Sequence, residues 1–190
     1  MINSNIKIIL GSSSPRRQEL LKLITENFSV RKSNTKESFE SKEPSEIVRE
    51  ISLKKVKDID IYPNELLITA DTIVTLNGKI FGKPKDFEDG LNMLKTLSNK
   101  THNVYTGITL RTNEKIKNFY DLSKVTFYPL DDQIIKFYLE KYQPFDKAGG
   151  YAIQDFAAVF VKKIEGDYYN IMGLPVAKLY WELEEMIHNL

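Results

Sequence analysis

The stretch "ELLITADTIVTLNGKIFGKPKD", residues 65–86, decides how this chain folds. Its first half, "LLITADTIVTL", is dense in β-branched residues, which suit the pleated, half-buried surface of a strand. Asn77-Gly78 follows, and Asn-Gly between two apolar runs signals a two-residue hairpin turn. "KIF" (79–81) returns from that turn, so part of the sheet must be antiparallel. A helix is expected from Asp86 to Leu97, with Phe87, Leu91 and Leu94 on one face. One residue sits badly in the strand. Asp71 is flanked by Ile68 and Val74, and a half-buried carboxylate is costly unless it is paired or bound to a cation. It is a working group, an edge-strand acid facing solvent, or an acid paired to a lysine.

Outward from this stretch the pattern repeats. "IKIIL" (6–10) reads as a short buried strand and "NFSVRK" (27–32) as a second. A helix is expected from Pro15 to about Thr25, with Ser14 as its cap, because proline suits the first helical position. Residues 33–43 are polar and read as a loop, and Pro44-Ser45 opens a second helix with Ile47, Val48 and Ile51 inward. "NVYTGITLR" (103–111) and "KNFYDLSKVTFYP" (117–129) read as paired long strands. "DDQIIKFYLEKY" (131–142) is an amphipathic helix. "AAVFVKKI" (157–164) and "YYNIM" (168–172) are expected as strands. A last helix runs from Pro175 to about His188, with Leu179, Leu183 and Met186 on one face. Interleaved helices and strands with some antiparallel pairing give an α/β class with a mixed sheet.

Composition narrows the function. The chain has 190 residues, and Lys plus Arg at 27 against Asp plus Glu at 26 leaves a net charge of +1. A general nucleic-acid binder carries a clear basic excess, so no stable nucleic-acid partner is expected. No cysteine is present, which excludes disulfides, thiolate metal sites and cysteine nucleophiles. His102 and His188 are far apart in sequence, which argues against a histidine-rich metal site. No apolar run approaches the ~20 residues that span a bilayer. "MINSNIKIIL" has no long apolar core and no small-residue cleavage site, so a cytoplasmic protein without a signal peptide is expected.

"LGSSSPRRQELL" (10–21) places Ser12, Ser13 and Ser14 where a strand hands over to a helix. The first turn of a helix offers free N–H groups and partial positive charge. Small hydroxyl residues let an anion approach, and Arg16 and Arg17 add guanidinium forks suited to phosphate. That is a phosphate cradle; the plainer alternative is a capped helix with two solvated arginines. Lys83 in "GKPKD" is held between Gly82 and Pro84, and either points back towards Asp71 or is a solvated turn lysine. "LKKVK" (53–57) is basic along a helix. "DKAGGYAIQD" (146–155) has paired glycines that let the backbone approach a ligand, or make a tight turn. Oxygen ligands for a hard cation, several cations for phosphates and no good nucleophile suit metal-assisted water attack on a phosphoanhydride.

"GSSSPRRQELL", "ITADTIV", "GKPKD", "LSNKTHNVYTG", "DKAGGYAIQ" and "GDYYNIMGLPV" together, in that order, resemble the motifs of the Maf family, from about residue 7 to residue 180. These are nucleoside triphosphate pyrophosphatases, also described as septum-formation-inhibitor-like proteins. The resemblance implies an elongated mixed β-sheet flanked by helices, one domain over residues 1–190 with two lobes and a central cleft, related to inosine triphosphate pyrophosphatases. It also implies a homodimer. The reaction would convert a nucleoside triphosphate to the monophosphate and pyrophosphate, with a divalent cation, Mg²⁺ or Mn²⁺. The family's proton acceptor falls on Asp71, and a glutamate that helps hold the metal falls on Glu37. The lysine of the second helix falls on Lys54, with Lys55 the alternative register, and the Gly-Lys-Pro lysine is Lys83. Arg16, Thr72 and Gln154 track base choice and match the dTTP/UTP-preferring branch, with modified pyrimidine triphosphates also accepted. Phe156, close after Gln154, is expected to crowd a purine. The competing class is a non-catalytic nucleotide-binding regulator of cell division. Asp71 and Lys83 favour the enzyme, because a pure binder has no need of a base.

Overall fold

The computed structural model describes residues 6–188. Its strands are β1 (Lys7–Leu10), β2 (Phe28–Val30), β3 (Glu65–Leu76), β4 (Lys79–Phe81), β5 (Thr101–Arg111), β6 (Ile116–Phe127) and β7 (Val161–Glu165). They form one sheet in the order β2-β1-β3-β5-β6-β7, with β4 beside β3. β1 runs parallel to β2 and β3, while β4 is antiparallel to β3 and β7 to β6. The sheet is mixed, as the Asn77-Gly78 hairpin requires; both residues have the positive φ that a type I′ turn needs. The helices are α1 (Pro15–Lys22), α2 (Pro44–Lys57), α3 (Phe87–Leu97), α4 (Asp132–Tyr142), α5 (Tyr168–Met172) and α6 (Val176–His188). Among the described residues no helix is long and apolar enough to cross a membrane. The signal-peptide reading falls partly on residues 1–5, outside the described residues.

Two compact units divide the chain, and their boundaries fall inside β3, β5 and β6. The first holds the described residues up to Asp71, Thr106–Asp121 and Gly173 onward; the second holds Thr72–Tyr105 and Leu122–Met172. Within the first, Ile9, Val56, Ile59 and Leu67 pack together. Here α2 lies directly on the backbone of β5. A Cβ placed on Gly107 would stand 2.3 Å from the Val48 carbonyl, so only glycine permits this approach. Within the second, Leu94, Phe127, Tyr138, Leu139 and Phe160 form the centre of a larger cluster with Val74 and Phe81. Side-chain caps start two helices there: Asp86 accepts from the Asp89 N–H, and Asp131 accepts from the Ile134 N–H, both at 2.8 Å.

Three expectations are corrected. α1 ends at Lys22, short of Thr25. "YYNIM" is helix α5, not a strand. The tyrosines and isoleucine favour a strand, but Asp167 accepts from the Tyr169 N–H at 2.8 Å and opens a helical turn. Buried Asn170 then fixes it by donating to the Val104 carbonyl and Ser123 Oγ. Residues 156–160 form a 3₁₀ turn, so the strand expected from 157 begins at Val161. Asp155 accepts from the Ala157 N–H at 2.9 Å and caps that turn.

Candidate active site

In the first unit, β1 delivers the chain into the Gly11–Ser14 turn and Pro15 opens α1. Ser14 occupies the cap position, but its side chain makes no capping bond. Ser12 is buried, and its Oγ accepts from the Ser14 N–H at 3.3 Å and from an Arg17 guanidinium nitrogen at 3.4 Å. Ser13 is exposed. Arg17 is aimed by a third contact, its Nε donating to the Gly173 carbonyl at 2.9 Å. Burial lowers the Arg17 guanidinium from its ordinary value, and Arg16 adds to this, while Asp71 and Glu37 oppose it. An arginine stays charged regardless. The helix mouth is therefore a fixed positive corner facing two carboxylates.

Those carboxylates meet on one lysine. Lys55 Nζ lies 2.6 Å from Asp71 Oδ1 and 2.9 Å from Glu37 Oε1. Asp71 is buried on β3 and Lys55 is 11 % exposed, whereas Glu37 is open to solvent. Desolvation pushes the Asp71 carboxyl above its usual value, and Lys55 and Arg17 pull it back only in part. A carboxylate with raised proton affinity is the better general base. Another buried acid of β3 behaves oppositely. Glu65 takes both forks of Arg31 at 2.6 Å, and those bonds hold its carboxyl below the usual range. Glu65 is a structural ion pair, and Asp71 is the acid suited to move a proton.

Lys54 lies elsewhere. Its Nζ donates to Glu50 at 2.7 Å and to the Ser38 carbonyl at 2.9 Å. Lys55, not Lys54, is the lysine that reaches Asp71. The helical phase explains why. Ile47, Val48, Ile51, Ser52 and Val56 are the buried residues of α2. At ~100° per residue, Lys55 falls near the middle of that arc and Lys54 beyond its edge. That signal was present in the sequence.

Among the described residues, no group of three or more His, Cys, Asp and Glu side chains is placed to hold a metal. Asp71 and Glu37 already share one cationic group, so the pair can face a single positive charge. One or two carboxylates completed by substrate phosphates is the usual mode for Mg²⁺. The residues fit a cation shared with a triphosphate, not one caged by protein alone.

The second unit carries Thr72, Lys83 and Gln154. Thr72 follows Asp71 on β3 and is half-buried, and Lys83 is exposed after β4. The turn before Lys83 is tied to the glycine loop, since the Gly149 N–H donates to the Gly82 carbonyl at 3.0 Å. Gly149 and Gly150 both have φ of 73°, a conformation that only glycine adopts cheaply. Gln154 is exposed in the turn that follows. Phe156 stacks on Tyr142 at 5.7 Å and meets Phe137 at 5.1 Å, ring to ring. Those contacts pack it against α4. Lys55 and the Gly173 carbonyl are the functional groups that sequence reasoning passed over or placed second.

The Maf family model, described as Maf-like protein, matches residues 7–186. The chain is 48% identical over 183 residues to a dTTP/UTP pyrophosphatase of Carboxydothermus hydrogenoformans, covering 95% of this chain and 98% of that one. It is 46% identical to a dTTP/UTP pyrophosphatase of Pyrococcus furiosus, covering 97% of each. Among solved structures, a HAM1 protein from Coxiella burnetii aligns with a TM-score of 0.49 at 12% identity, over 95% of this chain and 99% of that chain.

Proposed function

Since this chain belongs to the Maf family, we propose that it hydrolyses dTTP and UTP, and modified pyrimidine triphosphates, to the monophosphate and pyrophosphate. The relatives named dTTP/UTP pyrophosphatase support the substrate class. The observation that carries the chemistry is Asp71, buried, raised in proton affinity and 2.6 Å from Lys55. In this reading Asp71 takes a proton from the attacking water. The water oxygen bonds to phosphorus, the α–β bridging P–O bond breaks, and its electrons leave with pyrophosphate. Arg16, Arg17 and the serine turn receive phosphate oxygens at the mouth of α1. Lys55 and Lys83 offset the negative charge that builds on the phosphates, and Lys55 keeps Asp71 ionised until the water arrives. A divalent cation held by Asp71 and Glu37 would supply Lewis-acid polarisation of the phosphates. Thr72 and Gln154 select the base. The same reading makes the enzyme a cytoplasmic homodimer, which light scattering on the eluted peak checks at roughly twice the 22.0 kDa chain mass.

The test is pyrophosphate release from dTTP, UTP, CTP, ATP and GTP. Turnover of dTTP and UTP at least about tenfold more efficient than ATP or GTP is expected, the size of one unpaired buried polar group. A purine at the top of the ranking overturns the pyrimidine assignment and leaves the pyrophosphatase standing. Tight dTTP binding with no pyrophosphate release overturns the enzyme and establishes the non-catalytic regulator.

A further inference from the structure

Gln154 is exposed, yet the turn that carries it is tied from beneath at several points. Tyr151 is buried, and its hydroxyl lies 2.7 Å from Nε2 of His102, itself 1% exposed on β5. The next residue, Ala152, donates its backbone N–H to the Tyr138 hydroxyl on α4 at 3.0 Å. That hydroxyl donates in turn to Asp155 Oδ2 at 3.3 Å. The Asp155 N–H closes the turn onto the Ala152 carbonyl at 3.2 Å. The residues at 151, 152 and 155 are thus fixed by buried groups, and Gln154 has little freedom left in its backbone.

The His102–Tyr151 pair is a strange choice for a core that needs only packing. The imidazole sits edge-on to Phe127 and Tyr151, at 4.8 and 5.5 Å between ring centres. Its Nδ1 is buried and has no hydrogen-bond partner. A neutral imidazole has one N–H and one lone pair, so Nδ1 is left unmet in either tautomer. Such an orphan destabilises the fold, and a leucine, methionine or phenylalanine would fill the space without it. What the imidazole adds is one directional bond, to the Tyr151 hydroxyl. That bond fixes the ring, and the ring fixes the backbone three residues ahead of Gln154.

We propose that His102, acting through Tyr151, and Tyr138, acting through Ala152 and Asp155, are positioning residues for base selection by Gln154. They touch no substrate. They hold the Gln154 amide where it can meet the N3–H and O4 edge of uracil or thymine together, a match that needs a fixed backbone. The inference rests on the reading of Gln154 as the residue that reads the base.

The experiment compares kcat and KM for UTP and CTP, which are alike in size and differ at that edge. The parent is set beside Gln154→Ala, His102→Phe, Tyr151→Phe, Tyr138→Phe and His102→Gln. Gln154→Ala should lower the UTP/CTP preference about tenfold, the usual size of one mispaired buried polar group. His102→Phe and Tyr151→Phe should each lower it about threefold or more, through KM for UTP, with kcat for UTP within about twofold. Tyr138→Phe should do the same. His102→Gln, whose amide can still meet the tyrosine, should restore the preference. Combined with Gln154→Ala, His102→Phe should add nothing further, because the two act as one unit. Tyr151→Phe removes a single oxygen and keeps the packing, so it serves if His102→Phe fails to fold. If Gln154→Ala changes the preference while Tyr151→Phe and Tyr138→Phe only lower the melting temperature, the positioning role is refuted and the Gln154 reading stands. If Gln154→Ala leaves the preference untouched, that reading fails and this proposal with it.

Discussion

Asp71 and Lys55 each need the other. Asp71 is desolvated on β3, and the ammonium at 2.6 Å is what lets it stay charged there. Asp71→Asn keeps the size and removes the basicity, so kcat should fall about 10²–10⁴-fold, the usual loss for a missing general base. A folded variant that turns over within a few-fold of the parent would remove Asp71 from the chemistry. The two adjacent lysines give a sharper comparison. Lys55→Met leaves the buried carboxylate without its counter-charge and should lower kcat/KM by about 10²-fold or more. Lys54→Met breaks a helix-surface pair with Glu50 and an exposed bond to the Ser38 carbonyl, each worth a few tenths of a kcal/mol, and should stay within about threefold. Steady-state kinetics on the pair check this, and equal losses would return the site lysine to an open question. Asp71 stood out in the sequence because a lone acid in an apolar strand is anomalous by itself. Lys54 and Lys55 did not separate by residue type, since the difference between them is about 100° of helical phase.

Helix α2 places Lys55, and β5 places α2. Their backbones meet at Gly107, where a methyl group would press on the Val48 carbonyl. Gly107→Ala should therefore cost about 1–3 kcal/mol, as overpacking of rigid neighbours does. Urea unfolding measures it. The same variant should lower activity beyond its effect on stability, because any retreat of α2 carries Lys55 away from Asp71. A neutral result on both would mean the helix can shift without loss. At this scale the sequence was legible wherever periodicity and caps agreed, as in α3, α4 and α6. It misled at "YYNIM", where strand-favouring side chains sit in a helix held by Asn170 reaching Val104 and Ser123. Those partners lie 66 and 47 residues away, beyond any window of local propensity.

For the molecule as a whole, two conditions are diagnostic. Burial holds the His102 imidazole at about 4, against 6.5 in the unfolded chain. Between those values the unfolded chain binds the extra proton, so stability rises with pH across the window and is lost as pH falls through it. The full difference amounts to about 3 kcal/mol. Comparing unfolding free energies of the parent and His102→Gln at about pH 7 and about pH 4.5 isolates it, because the other titrating groups are common to both. The parent should lose roughly 2–3 kcal/mol more than the variant on acidification; equal losses would mean that the imidazole is not held neutral. The second condition is metal. Dialysis against excess EDTA should abolish pyrophosphate release, and Mg²⁺ or Mn²⁺ should restore it, with no effect of thiol reagents on a chain that has no cysteine. Full activity in EDTA would leave Asp71 with a proton-handling role alone and Glu37 with its pairing to Lys55.

The sequence by itself determined the α/β class, the mixed sheet, the hairpin at Asn77-Gly78 and the anomaly of Asp71. Each of these is written in neighbouring residues, as periodicity, turn chemistry or a polar group in an apolar run. It also determined the family, through six motifs in fixed order. Only the tertiary structure decided that Arg17 is aimed by the Gly173 carbonyl, that Phe156 packs against α4, and that the Glu65 carboxyl is held below its usual value while that of Asp71 is pushed above it. Those outcomes depend on distances between residues far apart in the chain. A carboxylate's proton affinity is set by what surrounds it, by desolvation and by the charge a few ångströms away, and that surrounding exists only once the chain has folded.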